Sequence, residues 1–200
     1  MRYRQASQRL TTYRKRIAAL RRRMHTVQQQ TVPEPVDDYT FASTKGPVRL
    51  SQLFGPKRDL IVIHNMGSGC PNCTLWADGY NGLYPHVADR AAFVVSSPDS
   101  PAVQRRFARS RGWRFPMVSH MGSTFAADMG YRARSGGWLP GVSAFRRTRD
   151  GIVRLNDTGF QPGDDFCAAW HLFDLFPDGA AGWTARFRYA ARRSLKGASR

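Results

Sequence analysis

The sequence is poor in cysteine and in acidic residues, and it has no long hydrophobic run. Its 200 residues include only three cysteines, too few for a disulfide scaffold and more typical of a protein in a reducing compartment. No apolar stretch approaches the roughly 20 residues that a transmembrane helix needs. The N-terminus lacks the apolar region and cleavage site of a secretory signal, although its arginine-rich, acid-free composition is similar to that of a mitochondrial presequence. We therefore expect a cytoplasmic location.

The shortage of acidic residues is concentrated at the two ends of the chain. There are 31 lysines and arginines against 14 aspartates and glutamates, which gives a formal net charge of +17. Residues 1–30 carry nine basic residues and residues 184–200 carry six, and neither segment contains an acid. The span 31–183 holds the other 16 basic residues and all 14 acids, so it is almost neutral. This pattern predicts a neutral domain between basic extensions that suit an acidic protein or an anionic surface.

Residues 1–30 are predicted to form one basic amphipathic helix. Apolar residues recur at alternating spacings of three and four over nearly four heptads; they are Tyr3, Ala6, Leu10, Tyr13, Ile17, Leu20, Met24 and Val27. Two copies of this helix would bring arginines together without compensating acids, which opposes self-pairing. The apolar stripe is expected to pack either on its own domain or on a partner. The proline-containing segment 31–38 indicates a linker to a domain spanning residues 39–183.

The C-terminal tail, residues 184–200, mixes arginines with aromatic residues such as Phe187 and Tyr189. This composition is typical of segments that bind nucleic acid or an anionic surface. It is equally typical of a solvated, partly disordered tail. The sequence contains no folded nucleic-acid-binding motif, so specific recognition of nucleic acid is not expected.

Two cysteines separated by two residues, Cys70 and Cys73, stand at a junction of predicted strand and helix. A continuous apolar run at 60–63 indicates a buried strand before them. Pro71 suits the first position of a helix, where its missing N–H costs nothing. A second apolar run at 91–95 completes a β-α-β unit. A C-x-x-C motif in this context is typical of thioredoxin-type redox sites.

The start of a helix predicts different roles for the two cysteines. Unpaired N–H groups and a partial positive charge at a helix N-terminus stabilise a thiolate and lower its pKa. We therefore assign Cys70 as the nucleophile. Cys73, about one turn further into the helix, should be more buried and should resolve a mixed disulfide on Cys70. The alternative is a pair of reduced core cysteines without a redox role.

The other patterns in the domain complete an α/β fold with a central mixed sheet flanked by helices. Helices are predicted at 100–111, 123–129 and 164–176, and hairpins are predicted to join 39–42 to 48–50 and 142–146 to 152–155. A parallel β-α-β unit followed by a hairpin and a closing helix is the element order of thioredoxin.

Three segments resemble an uncharacterised bacterial thioredoxin-like family related to peroxiredoxins and alkyl hydroperoxide reductases. They are residues 69–82 (GCPNCTLWADGYNG), 112–119 (GWRFPMVS) and 170–177 (WHLFDLFP). The resemblance covers approximately residues 38–180. It implies a thioredoxin fold of the peroxiredoxin-related variant, and the Cys-Pro-x-Cys order is also similar to that of glutaredoxins.

The thioredoxin resemblance implies two further site residues. Thioredoxins carry a buried carboxylate six residues before the nucleophile, which accepts the proton of the resolving thiol, and His64 stands at that position. A histidine can accept a proton near neutral pH, although a strand-end histidine can equally be satisfied by the backbone. Thioredoxins also place a cis-proline opposite the disulfide, and Pro140 has the matching position, with Pro116 as its competitor. An ordinary trans loop proline is the alternative at both.

The signature of a standard peroxiredoxin is missing around both cysteines. Peroxiredoxins have a threonine three residues before the peroxidatic cysteine and a proline seven residues before it. For Cys70 these positions hold Gly67 and Ile63, and for Cys73 they hold Cys70 and Met66. A peroxidase of the standard type is therefore disfavoured, although the fold is related.

Zinc binding is a separate alternative for the cysteines. Cys167 and His171 are spaced to share one helix face, and with Cys70 and Cys73 they could complete a tetrahedral Cys₃His site. A lone cysteine among apolar neighbours is more often a small buried hydrophobe. We assign no cofactor.

The sequence as a whole favours a thiol–disulfide oxidoreductase that acts on a protein or small-molecule disulfide or thiol. The alternative from a different class is a non-catalytic interaction protein that uses its basic helices to bind an acidic partner or an anionic surface. The redox hypothesis makes Cys70 essential for function. The interaction hypothesis instead makes the basic cluster Arg21-Arg22-Arg23 essential for binding the partner.

Overall fold

Eight strands form one mixed sheet in a computed structural model that describes residues 1–189. The strands are β1 (Glu34–Val36), β2 (Thr40–Ser43), β3 (Gly46–Arg49), β4 (Asp59–His64), β5 (Ala92–Ser97), β6 (Met117–Ser119), β7 (Gly141–Arg147) and β8 (Ile152–Gly159). Their order across the sheet is β1-β8-β7-β4-β5-β6-β2-β3. Strand β5 pairs in parallel with β4 and β6, and the other neighbouring pairs are antiparallel.

The helices are α1 (Tyr3–Gln30), α2 (Leu50–Leu53), α3 (Pro71–Arg90), α4 (Pro101–Arg111), α5 (Phe125–Asp128) and α6 (Ala168–Phe173). The predicted α/β class and mixed sheet are confirmed. The closing helix is much shorter than the predicted span 164–176. Its expected first turn is replaced by a loop in which the carboxylate of Asp164 accepts hydrogen bonds from the backbone N–H groups of Gln161 and Phe166.

The two faces of the sheet carry separate hydrophobic cores, because successive side chains of a strand point to opposite faces. Val62 and Val94 belong to the first core, which includes residues of α2 and α5. Ile63 and Val95 belong to the second core, which includes residues of α3 and α6. The strand pair β4–β5 is therefore buried on both sides, as continuous apolar runs in parallel strands indicate.

The predicted linker 31–38 contains a short strand, β1, at residues 34–36. Strand β1 pairs antiparallel with β8, with Pro35 opposite Val153. The guanidinium of Arg154 pairs with the carboxylate of Glu34 across this contact. A proline is tolerated there because β1 is an edge strand, where one side needs no backbone donor.

Each of the two basic extensions contacts the domain through a small number of residues. Helix α1 touches it through an ion pair between Arg21 and Asp165, and a cleft of about 550 Å³ lies between its C-terminal end and strands β7 and β8. At the other end of the chain, Arg111 of α4 donates a hydrogen bond to the carbonyl of Phe187. Residues 190–200 of the predicted tail lie outside the described residues.

None of the helices within residues 1–189 combines the length and the apolar character that crossing a membrane requires.

We expect Gly141→Ala to destabilise the fold, with Gly159→Ala at the paired position of β8 as its control. A Cβ on Gly141 would lie 2.1 Å from Cε1 of Tyr131 and 2.6 Å from the carbonyl oxygen of Thr158. A Cβ on Gly159 would come no closer than 3.8 Å, to the carbonyl oxygen of Pro140. Overpacking of this kind costs roughly 1–3 kcal/mol. Equilibrium urea unfolding should show this loss for Gly141→Ala alone, and equal losses in the two variants would contradict the packing argument.

Candidate active site

The site is held by the loop that joins β4 to α3. Backbone N–H of Asn65 donates to the carbonyl of Ser96, and the side-chain oxygen of Asn65 accepts from Gly67 N–H at 2.8 Å. The carboxylate of Asp99 accepts from Ser68 N–H at 2.7 Å. Gly67 has a φ of +102°, and a Cβ there would lie 3.1 Å from the Asp99 carboxylate. The positive φ favours glycine at this position, and a larger residue would also force the Asp99 side chain to shift.

Cys70 is the N-cap residue of α3, and Pro71 occupies the first helical position, as predicted. The backbone N–H of Cys73 donates to Sγ of Cys70 over 3.0 Å. The carbonyl of Cys70 accepts from both the backbone N–H and the hydroxyl of Thr74. Met66 N–H points at Sγ of Cys73, at 3.5 Å. The first turn of the helix thus places both sulfur atoms next to each other and to backbone donors.

The pKa values of the two thiols are shifted in opposite directions. The pKa of Cys70 is lowered to about 7, first by a hydrogen bond from the Cys73 side chain and then by the backbone N–H groups of Cys73 and Asn72, while burial opposes the shift. The pKa of Cys73 is raised, first by that same hydrogen bond to Cys70 and then by burial. Cys73 is also the more buried residue, with 2% of its surface exposed against 8% for Cys70. This agrees with the order of burial expected from the sequence.

His64 lies in the first core, away from the buried side chains of α3. Its ring stacks on Tyr131 at a centroid distance of 3.7 Å, and Nε2 shares a hydrogen bond of 2.9 Å with Oγ of Ser143. Burial holds its pKa well below the usual value, with smaller contributions from His120 and Arg154.

The proton-acceptor role expected of His64 is therefore not supported. A histidine whose pKa is held well below the usual value is a weak base at neutral pH. Within residues 1–189, the only hydrogen bond of the His64 ring is the one with Ser143. The alternative prediction, that a backbone group satisfies the ring of His64, is also wrong, because the partner of the ring is the side chain of Ser143 on β7. The cause is strand alternation: Ile63 faces the core that contains α3, so the next residue faces the opposite core.

Pro140 lies directly before β7, where Gly141 pairs with the last residue of β4. This places it beside the end of the strand that leads to the cysteines, as the thioredoxin comparison implies. The prediction of a cis peptide bond at Pro140 is wrong, because the described residues 1–189 contain no cis peptide bond. The same holds for its competitor Pro116, which lies before β6. Both are ordinary trans prolines.

The four residues considered for zinc do not come together. Cys167 is buried in the second core, and the ring of His171 on the surface of α6 lies 3.3 Å from the carboxylate of Asp165. No cluster of three or more histidine, cysteine or acidic side chains suited to a metal ion occurs in the described part of the chain. The i, i+4 spacing predicted a shared helix face, but Cys167 is only the residue before α6 begins.

Sequence reasoning missed Asp99, which anchors the loop before Cys70 through Ser68. A signal for it exists: Asp99 follows the second of two adjacent parallel strands, and the carboxyl ends of such strands meet at one edge of the sheet. His120 was also missed. Its ring shares a hydrogen bond of 2.9 Å with Oγ of Ser96, and burial lowers its pKa to about 4.

Comparisons with known proteins find peroxiredoxins among the relatives of this chain. The chloroplastic peroxiredoxin Q of Sedum lineare is 27% identical over 139 residues, which cover 68% of this chain and 72% of the relative. The crystal structure of peroxidoxin BcpB from Mycobacterium tuberculosis matches with 27% identity and a TM-score of 0.52, over 64% of this chain and 84% of that one.

A third match concerns the fold alone. The crystal structure of a cysteine-to-serine mutant of peroxiredoxin Q from Xylella fastidiosa has a TM-score of 0.56 at 15% identity, and covers 66% of this chain and 89% of that one. Peroxiredoxins are therefore among the relatives of this chain in sequence and in structure, and the chain has a thioredoxin fold. Residues 3–192 match the family model described as "Bacterial protein of unknown function (DUF899)", and the chain therefore belongs to that family of peroxiredoxin-related proteins.

Proposed function

We propose that the protein is a thiol–disulfide oxidoreductase in which Cys70 attacks and Cys73 resolves. The observation that carries the proposal is the hydrogen bonding at the start of α3, which lowers the pKa of Cys70 to about 7. At pH 7 such a thiol is about half ionised, and it remains a good nucleophile because nucleophilicity falls when the pKa is lower still. The raised pKa of Cys73 keeps the second thiol protonated until it is needed.

The reduction of a disulfide would proceed in two exchanges. The Cys70 thiolate attacks one sulfur of the substrate disulfide, and the other sulfur leaves as a thiolate. Once Cys73 loses its proton, for example to the departing thiolate, it attacks Sγ of Cys70 and releases the second substrate thiol. Two electrons have then passed to the substrate, and the enzyme holds a Cys70–Cys73 disulfide. An external dithiol must reduce this disulfide before the next cycle, so a reductant is a required partner.

Peroxide reduction is the second candidate, and it is supported by the peroxiredoxins among the relatives. In that reaction the Cys70 thiolate attacks a peroxide oxygen, the O–O bond breaks, and an alcohol or water leaves after protonation. The resulting sulfenic acid condenses with the Cys73 thiol, which forms the same internal disulfide and releases water. The two candidates therefore share their nucleophile, their resolving thiol and their oxidised product.

Replacement of single cysteines should separate the two roles. With a small aromatic disulfide, we expect the wild type to release two thiols per chain and to end with an internal disulfide. Cys73→Ser should release one thiol and retain a mixed disulfide on Cys70, whereas Cys70→Ser should release almost none. Cys167→Ser is the matched control and should behave as the wild type. Intact-mass spectrometry identifies each product, and thiol release that persists in Cys70→Ser would overturn the proposal.

Peroxide specificity can be tested on the same variants. If peroxide is a substrate, Cys73→Ser treated with one equivalent of hydrogen peroxide should hold a sulfenic acid on Cys70 that dimedone traps, while the wild type forms the internal disulfide. If disulfides are the only substrates, peroxide should be consumed no faster than by Cys70→Ser. Rates of peroxide loss and of disulfide reduction, measured side by side with dithiothreitol as reductant, rank the two activities.

The reactivity of Cys70 should follow the ionisation of its thiol. Because its pKa is lowered to about 7, the rate of alkylation by iodoacetamide should rise with a midpoint near pH 7 and level off more than about one pH unit above it. Cys73→Ala removes the hydrogen-bonding side chain that contributes most to the shift, so its midpoint should move upward. Cys73→Ser keeps a donor and should move less. Mass spectrometry of the Cys70 peptide gives the profile; a wild-type midpoint near 9, or an unchanged midpoint in Cys73→Ala, would contradict the assignment.

A further inference from the structure

Helix α1 presents an apolar stripe that its own domain leaves uncovered within residues 1–189. Leu20, Met24 and Val27 keep 56%, 62% and 64% of their surface exposed. The other large stripe residues are at least 47% exposed. None of the 28 residues of the helix is buried. An exposed apolar row of this length, about 42 Å at 1.5 Å per residue, indicates a surface that another structure covers.

The charges around the stripe define the chemistry of what covers it. The helix carries eight basic residues and no acid, and Arg2 directly precedes it. In a heptad with Leu10 and Ile17 at a and Tyr13 and Leu20 at d, the flanking e and g positions hold five arginines. They are Arg9, Arg14, Arg16, Arg21 and Arg23. Flanking positions contact the partner of a heptad stripe, so these arginines favour an acidic covering surface. A second α1 helix is basic and does not provide one.

The chain itself contains an acidic surface with exposed apolar side chains, which we call the acidic platform (residues 164–178). It has four aspartates and no lysine or arginine. Leu172, Leu175 and Phe176 keep 60%, 69% and 61% of their surface exposed, and Phe166 keeps 41%. Asp174 and Asp178 are exposed as well. The platform therefore has the two properties that α1 requires of a partner, namely apolar side chains and negative charge.

One contact already joins the two surfaces within a single chain. Arg21 forms an ion pair with Asp165, and it is the only ion pair of α1 with the rest of residues 1–189. This pair is exposed, with side-chain exposures of 57% and 55%, and pairs of this kind contribute little by themselves. It leaves the apolar residues of both surfaces open to solvent, so covering them requires a different contact.

We propose that the protein forms a twofold homodimer in which α1 of each copy covers the acidic platform of the other. The contact is reciprocal, because each copy carries one basic helix and one acidic platform, and a twofold axis makes both contacts equivalent. It buries two apolar surfaces that a monomer leaves exposed and brings arginines against aspartates. The repulsion that opposes pairing of two α1 helices does not arise. Neither surface includes Cys70 or Cys73, so this inference is independent of the proposed redox chemistry.

Charge exchange between the two surfaces tests the contact on the full chain. Arg16→Glu with Arg23→Glu makes the edge of the stripe acidic, and Asp174→Arg with Asp178→Arg makes the platform basic. Each double variant alone places like charges together in both contacts of a dimer, so its dissociation constant should rise at least tenfold. In an equimolar mixture, a dimer of one copy of each variant has opposite charges in both contacts. The mixture should therefore regain the dimer that each component has lost.

The matched control is Lys15→Glu with Arg22→Glu, which makes the same change of charge on the face of α1 opposite the stripe and should leave the dimer intact. Sedimentation velocity over a range of concentrations measures the oligomeric state, and circular dichroism checks that each variant is folded. The proposal is overturned if the wild type is monomeric at every concentration, if the stripe-edge variant dimerises as well as its control, or if the mixture stays monomeric.

Flotation with phosphatidylglycerol vesicles is run in parallel. A monomer that binds them through Arg16 and Arg23 would assign the stripe to an anionic membrane and likewise overturn the dimer.

Discussion

The proposed chemistry of this protein depends on hydrogen bonds from Cys73 to Sγ of Cys70, of which the one from the Cys73 side chain lowers the pKa of Cys70 most. The backbone N–H of Cys73 adds a second hydrogen bond to the same sulfur, over 3.0 Å. It exists because Cys70 is the N-cap residue of α3, where the first N–H groups of a helix have no carbonyl partner within the helix. The sulfur of a cysteine is an unusual cap acceptor, and a negative charge on it is stabilised by the helix end. The same geometry that begins the helix therefore also lowers the pKa of Cys70.

That arrangement is held in place by the sheet and not by α3 alone. The loop before Cys70 is fixed at one side by Asn65, which bonds to β5, and at the other by Asp99, which accepts from Ser68. Both anchors lie at the carboxyl ends of the parallel strands β4 and β5. Since side chains of these strands are packed in a hydrophobic core on each face of the sheet, the loop is anchored to a well-packed part of the molecule. A nucleophile positioned in this way loses little freedom when it meets its substrate.

Positive and negative charges are concentrated in different segments of this protein, the positive ones in α1 and the negative ones in the acidic platform. The basic residues of α1 have no acidic residue on their own helix, and the acidic platform contains no lysine or arginine. Ion pairs elsewhere, such as Arg146 with Asp59, join neighbouring strands or helices of the domain. Two surfaces of opposite sign that both expose apolar side chains favour association over solvation, because burial of the apolar area adds to the attraction between the charges.

The local features of the fold and of the site could be predicted from the sequence alone. The apolar runs of β4 and β5, the proline after Cys70 and the spacing of the two cysteines predicted buried strands, a helix start and two neighbouring thiols, because each depends on neighbours along the chain. The 3–4 spacing of α1 likewise predicted a helix with an apolar stripe. The remaining features came from the tertiary structure. His64 faces the core opposite α3, Pro140 is trans, residues 34–36 add an edge strand, and Cys167 and His171 do not join the other cysteines. Each of these features depends on which distant residues meet across the sheet, and spacing along one chain does not specify that.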